Sequence, residues 1–133
     1  MSDMAGAAQR PLSPHLQIYR PMLTMMMSIV HRITGVALYF GTALLVIWLV
    51  AVASTTTSFD AVNGLYGSWI GLIVMVGYSW ALIHHLLGGL RHFVWDTGAG
   101  FGPEARELLA KLTIGGSITL TVLLWIVIFL VKG

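Results

Sequence analysis

Long apolar stretches alternate with short charged breaks along the chain. Residues 33–59, 61–90 and 112–131 contain no Asp, Glu, Lys or Arg. An α-helix rises about 1.5 Å per residue, so about 20 apolar residues cross a hydrocarbon layer of about 30 Å. The pattern predicts an all-α membrane protein with three transmembrane helices, over about 28–53, 63–96 and 108–131. The second is longer than a bilayer requires and is expected to tilt or protrude.

The breaks are equally legible. Ser54-Thr55-Thr56-Thr57-Ser58 reads as an aqueous loop ending near Asp60. Gly98, Gly100 and Gly102 stop the second helix, and Pro103 followed by Glu104 and Glu107 opens the third. Residues 1–27 form an N-terminal arm, and Pro11, Pro14 and Pro21 disfavour regular helix between Arg10 and Pro21. The arm is expected to lie irregularly along the membrane or a partner, with residues 28–133 as one three-helix anchor domain entered at Met25, Met26 and Met27. Gly67 and Gly71 make a GxxxG spacing, and Gly115, Gly116, Ser117 and Thr119 cluster in the third helix; both are read as close packing within the chain.

Composition narrows the function. Of 133 residues, 57% are apolar and only 9% charged, with a mean hydropathy of +0.86. A soluble domain carries about a quarter of its residues as charges, so a stand-alone soluble enzyme is excluded. Cysteine is absent. Disulfides, thiolate metal sites, iron–sulfur clusters held by this chain and c-type haem attachment go with it, so any metal must be bound through histidine.

The net charge of +2 comes from dispersed basic residues, a poor surface for nucleic acid. Arg10, Arg20 and Arg32 precede or open the first helix, and Arg91, Arg106 and Lys111 lie between the second and third. By the positive-inside rule the N-terminus and the second loop face the cytoplasm. The first nine residues resemble neither a cleaved leader nor an Arg-rich transit peptide, which favours a bacterial inner membrane.

Histidines carry the chemistry. The segment His84-His85-Leu86-Leu87-Gly88-Gly89-Leu90-Arg91-His92 ends the second helix. At about 100° per residue, Gly89, His92 and Asp96 fall at about +40°, −20° and +20° from His85, on one face. His84, Gly88, Arg91 and Trp95 form an adjacent face. Neutral imidazole is the usual ligand of b-type haem, and a glycine one turn away leaves room for the flat macrocycle. The following Arg91 and His92 suit propionates near the cytoplasmic interface. The competing reading is packed polar histidines with Arg91 snorkelling to the interface. Spacing alone leaves His84 and His85 both open as the ligand, with the second axial ligand expected from another chain.

In the first helix, Ser28, His31, Arg32 and Gly35 project together, at about −60°, +40° and −20° for the last three relative to Ser28. A hydroxyl, an imidazole and a guanidinium there suit a quinone head group; a positive-inside anchor is the simpler alternative. Asp96 is a candidate partner of Arg91 or His92, and Trp69 and Trp95 are read as interface anchors.

Three ordered motifs carry a resemblance over nearly the whole chain: Arg10-Pro-Leu-Ser-Pro-His-Leu-Gln-Ile-Tyr19, Ser28-Ile-Val-His-Arg-Ile-Thr-Gly35, and His85-x-x-x-Gly89-x-Arg91-His92 with Trp95-Asp96. They resemble the cytochrome b subunits of succinate dehydrogenase, the larger membrane anchor of respiratory complex II. The resemblance implies a b haem shared with a second, smaller anchor, each chain giving one axial His, with His85 the ligand here. It implies ubiquinone contacts at Ser28, Ile29 and Arg32, and propionate contacts at His31, Arg91 and His92. The flavoprotein and iron–sulfur subunits would carry FAD and the clusters, so this chain alone has no catalytic activity. A fumarate reductase anchor using menaquinone and a haem-free structural anchor are the alternatives. A proton-coupled transporter is disfavoured by the lack of acids within the helices.

Overall fold

The computed structural model describes residues 15–132, which leaves the arm's Arg10, Pro11 and Pro14 outside the described residues. Five helices follow in order: α1 (His15–Ile18), α2 (Leu23–Ala53), α3 (Thr56–Tyr66), α4 (Trp69–Asp96) and α5 (Pro103–Lys132). No strand occurs among the described residues. Of these helices, α2, α4 and α5, at 31, 28 and 30 residues, are long and apolar enough to cross a membrane. The protein is an all-α membrane protein with three candidate spans.

The arm, expected to be irregular between Arg10 and Pro21, carries one helical turn at α1, and the long helices also differ from the sequence expectation at their boundaries. The first long helix opens at Leu23, ahead of residue 28: Met22 is extended at its N-cap (φ −90°, ψ 147°) and the methionine run, a good helix former, is already helical. Secondly, the polar tract after α2 is not all loop. The hydroxyl of Thr55 accepts from the Ser58 N–H at 3.2 Å, a cap from which α3 continues to Tyr66. The Tyr66 hydroxyl then donates to the Leu44 carbonyl at 2.7 Å and pins α3 against α2.

The second span therefore starts at Trp69 rather than near Asn63, behind a cap in which Ser68 accepts from the Gly71 N–H at 3.2 Å. Gly67 and Gly71 serve this corner and are not a helix-packing stripe. Gly67 closes α3, and a side chain at Gly71 would run into the Tyr66 carbonyl. After Asp96 the chain turns through Gly98 and Gly100, with φ of 82° and 76°, conformations that L side chains rarely adopt. Pro103 then opens α5 with Glu104 in its first turn, as the sequence predicts.

Packing is inverted relative to a soluble protein. Large side chains such as Val36, Ile47, Phe93 and Val131 face outward, and apart from Met27 the buried positions are small or polar, among them Thr34, Ala81, His84, Ala110, Thr113, Ser117 and Thr121. Helices in lipid gain nothing by hiding leucine from leucine-like solvent, so small residues that allow close approach line their contacts. Each buried hydroxyl donates to a carbonyl of its own helix: Thr34 to His31, Thr113 to Leu109, Ser117 to Ile114 and Thr121 to Ser117. Helix α4 packs against both α2 and α5, and α3 braces α2 and α4 at one end. That arrangement puts both histidine faces of α4 against a neighbouring helix.

Candidate functional site: a histidine cluster between α2 and α4

His31 on α2 and His85 on α4 stack, with ring centroids 4.0 Å apart and planes 9° from parallel. Glycine on the facing helix makes room for each ring. A methyl group at Gly88 would stand 2.5 Å from His31 Nδ1, and one at Gly35 would stand 3.2 Å from His85 Cε1. His92 joins the cluster, its ring 5.5 Å from that of His31 and 5.1 Å from Trp95.

Hydrogen-bond accounting fixes the His85 tautomer. Its Nδ1 lies 3.2 Å from the His31 carbonyl oxygen, which only accepts, so Nδ1 carries the proton and donates. The Thr34 hydroxyl lies 3.3 Å from the same Nδ1 and gives its own proton to the His31 carbonyl at 2.9 Å, so it accepts from His85 as well. The lone pair is left on Nε2, which has no hydrogen bond to a described residue and is not sealed inside. Metal-binding histidines are held in this way, one ring nitrogen tied to a carbonyl and the other free. One turn along α4, Gly89 is half-buried, and a methyl group there would meet nothing within 4 Å.

His84 has the opposite environment. It is 1% exposed, faces α5, and donates from Nδ1 to the Ser117 hydroxyl at 3.0 Å, whose proton is committed to the Ile114 carbonyl. Its Nε2 is buried without a partner, and Trp80 covers the ring at 5.1 Å.

The remaining sequence candidates divide. Ser28, Ile29 and Arg32 lie exposed on the outer surface of α2, within one turn of His31, as an open and unenclosed group. Arg91 does not join the cluster: it is buried, and its guanidinium stands over the Trp95 ring at 5.1 Å, beside a groove against α5. Asp96 is exposed and pairs with neither Arg91 nor His92 among the described residues, where the one ion pair is Glu107 with Lys111 at 2.9 Å. Of the two tryptophans read as anchors, Trp69 is 72% exposed at the start of α4, whereas Trp95 is half-buried and donates to the Gly100 carbonyl at 3.2 Å.

Thr34 is the residue that sequence reasoning missed. It lies inside the Ser28-to-Gly35 motif without a role assigned to it, although a hydroxyl three residues after a histidine in an apolar helix is a usable signal.

Known proteins of the same kind place the chain. A profile of the family described as the succinate dehydrogenase/fumarate reductase transmembrane subunit matches residues 6–124. The succinate dehydrogenase cytochrome b556 subunit of Paracoccus denitrificans is 45% identical over 129 residues, covering 97% of this chain and 98% of the relative. The same-named subunit of Rickettsia conorii is 39% identical, covering 89% and 92%. The mitochondrial succinate dehydrogenase cytochrome b560 subunit of Sus scrofa is 35% identical over 115 residues, covering 85% and 64%. With a family profile and relatives of this similarity spanning most of its length, the chain belongs to the succinate dehydrogenase/fumarate reductase transmembrane subunit family.

Proposed function

We propose that the chain is the haem-bearing membrane anchor of a succinate:quinone oxidoreductase in a bacterial inner membrane. The observation that carries this is the state of His85: Nδ1 is tied to the His31 carbonyl and Thr34, Nε2 is open, and Gly89, one turn away, leaves room beside it. These residues fit a b haem. His85 would hold the iron through Nε2 with Gly89 leaving room for the group, His31 and His92 would hold the propionates, and a second, smaller anchor would supply a further iron ligand. When bound, the haem supplies a one-electron store close to the quinone.

The chain's own residues do the rest by position. Arg32 offers a fixed charge and a planar set of donors to a quinone oxygen, and it holds the negative charge that reduction develops there. Ser28, one turn earlier, offers a hydroxyl to the same head group, and Ile29 presents an apolar side chain, 48% exposed, for the ring. Because these three side chains are open on α2, the walls of a ubiquinone pocket would come from partner subunits, with the iron–sulfur subunit above and the smaller anchor beside. FAD and succinate oxidation would belong to a flavoprotein partner, and the clusters to the iron–sulfur subunit. Arg91, turned toward α5 in this structure, is left out of the propionate set.

The test is a dithionite-reduced minus oxidised spectrum of the purified complex from wild type, His85→Ala and His84→Gln. The b-type band should vanish in His85→Ala and persist in His84→Gln. Loss from His84→Gln alone would transfer the ligand to the α5-facing side and refute the assignment.

A further inference from the structure

Arg91 is a buried cation with no acceptor. The residue is 5% exposed, its Nε is wholly buried, and neither a hydrogen bond nor an ion pair joins it to any described residue. Trp95 gives its face to the guanidinium but accepts none of its five N–H groups. A guanidinium stays charged, and burying one without a counter-charge is costly.

The surroundings say where a counter-charge can come from. Arg91 borders a groove of about 150 Å³ between α4 and α5, open to the outside of the helix bundle and walled by Leu87, Leu90, Leu109 and Leu112. The hydroxyl of Thr113 at its margin is committed to the Leu109 carbonyl at 2.8 Å. Among the carboxylates on this side of the chain, Glu107 is paired with Lys111, and neither Asp96 nor Glu104 pairs with Arg91. The groove lies near the end of α4 that bears Trp95, the side that also carries Arg32, Arg106 and Lys111. Around α4, Arg91 is about 120° from His85, so the groove opens on a different face of the helix from the stacked histidines, with Trp95 between the Arg91 guanidinium and the His92 ring.

We propose that this groove holds an anionic glycerophospholipid, its phosphate on the Arg91 guanidinium and an acyl chain along the four leucines. Bidentate donation to phosphate satisfies the fork of an arginine. The leucine walls match an acyl chain and offer nothing to a small polar anion. A headgroup with its own ammonium would find no free carboxylate lining the groove, which selects the anionic class.

The test uses the intact complex, purified in mild detergent and washed free of bulk lipid, with lipid mass spectrometry and the haem spectrum recorded together. Retained anionic phospholipid should fall roughly tenfold in Arg91→Met, the factor that one charge-assisted hydrogen bond carries, with the haem band kept. Arg91→Lys should keep most of the lipid. Leu112→Trp fills the groove from a 58% exposed position without touching the charge, and it should lose the lipid as well. Retention in Arg91→Met overturns the proposal, as does loss of the haem band with the lipid kept, which would return Arg91 to the propionates. If Arg91→Met does not assemble, Leu112→Trp decides: a tenfold loss supports the site, and retention overturns it. Adding phosphatidylglycerol to the delipidated wild type should raise its unfolding temperature; an equal rise with inorganic phosphate would also overturn it.

Discussion

Three glycines separate a haem shelf from ordinary helix packing. A methyl group at Gly88 would stand 2.5 Å from His31 Nδ1 and 3.1 Å from its Cε1. Non-bonded carbon contacts settle near about 3.5 Å, so the imidazole would have to retreat by about 1 Å. That ring is stacked at 4.0 Å on His85, so it has little room to yield. Overpacking of this kind costs about 1–3 kcal/mol, against a gain of up to about 1 kcal/mol from replacing a helical glycine by alanine. Gly88→Ala should therefore lower stability by up to about 3 kcal/mol, with or without haem.

Gly89 and Gly115 meet nothing within 4 Å, so alanine at either should stabilise the haem-free protein by up to about 1 kcal/mol. They part once haem is supplied. Gly115→Ala should load like wild type, whereas a methyl group on the shelf at Gly89 intrudes on the macrocycle. The same 1–3 kcal/mol corresponds to roughly a 5- to 150-fold loss of haem affinity. Haem content per complex and thermal unfolding of haem-replete and haem-depleted preparations read both quantities. A Gly89→Ala protein that is stabilised and still takes up haem like wild type would remove the room at Gly89 from the proposed haem site.

Two further predictions rest on hydrogen bonds. Thr34→Val removes one of two acceptors for His85 Nδ1 at a position 1% exposed, without changing side-chain volume much, and should weaken haem binding roughly tenfold while Thr34→Ser does not; equal titrations for the two variants would rule out a role for the hydroxyl. Ser117→Ala leaves the His84 Nδ1–H buried without an acceptor and should cost about 1–3 kcal/mol in thermal or denaturant stability with an unaltered haem spectrum; a changed spectrum would tie the α5-facing side to the cofactor after all.

The three spans were legible because charge is excluded from hydrocarbon, and each gap in charge falls largely on one long helix, although the helix starts lie up to ten residues from those of the gaps. Helix α3 was not, because the hydroxyls of the tract up to Asp60 read as loop and the residues from Asn63 read as the start of the second span, and its start depends on one cap at Thr55. Pattern alone also assigned Gly67 and Gly71 to a packing stripe that the corner before α4 takes up instead. For the site, the 100° rule placed His85, Gly89 and His92 on a common face of one helix. It says nothing about how α2 and α4 are rotated against each other. The bond between Thr34 and His85 joins residues 51 apart in sequence, and the turn of Arg91 toward α5 depends on where α5 sits, so neither follows from periodicity.

The inverted interior has a thermodynamic consequence. When helices separate within a bilayer, Val36, Ile47 and their neighbours keep contact with acyl chains, and the newly bared surface is the small and hydroxyl-bearing set around Thr34, Ala81, Ala110 and Ser117. Little apolar surface passes into water. The heat-capacity increment that bends the stability curves of soluble domains comes from that transfer, so here it should be small. Helix separation in this chain should then weaken steadily on heating, without the cold-side maximum of a water-soluble fold.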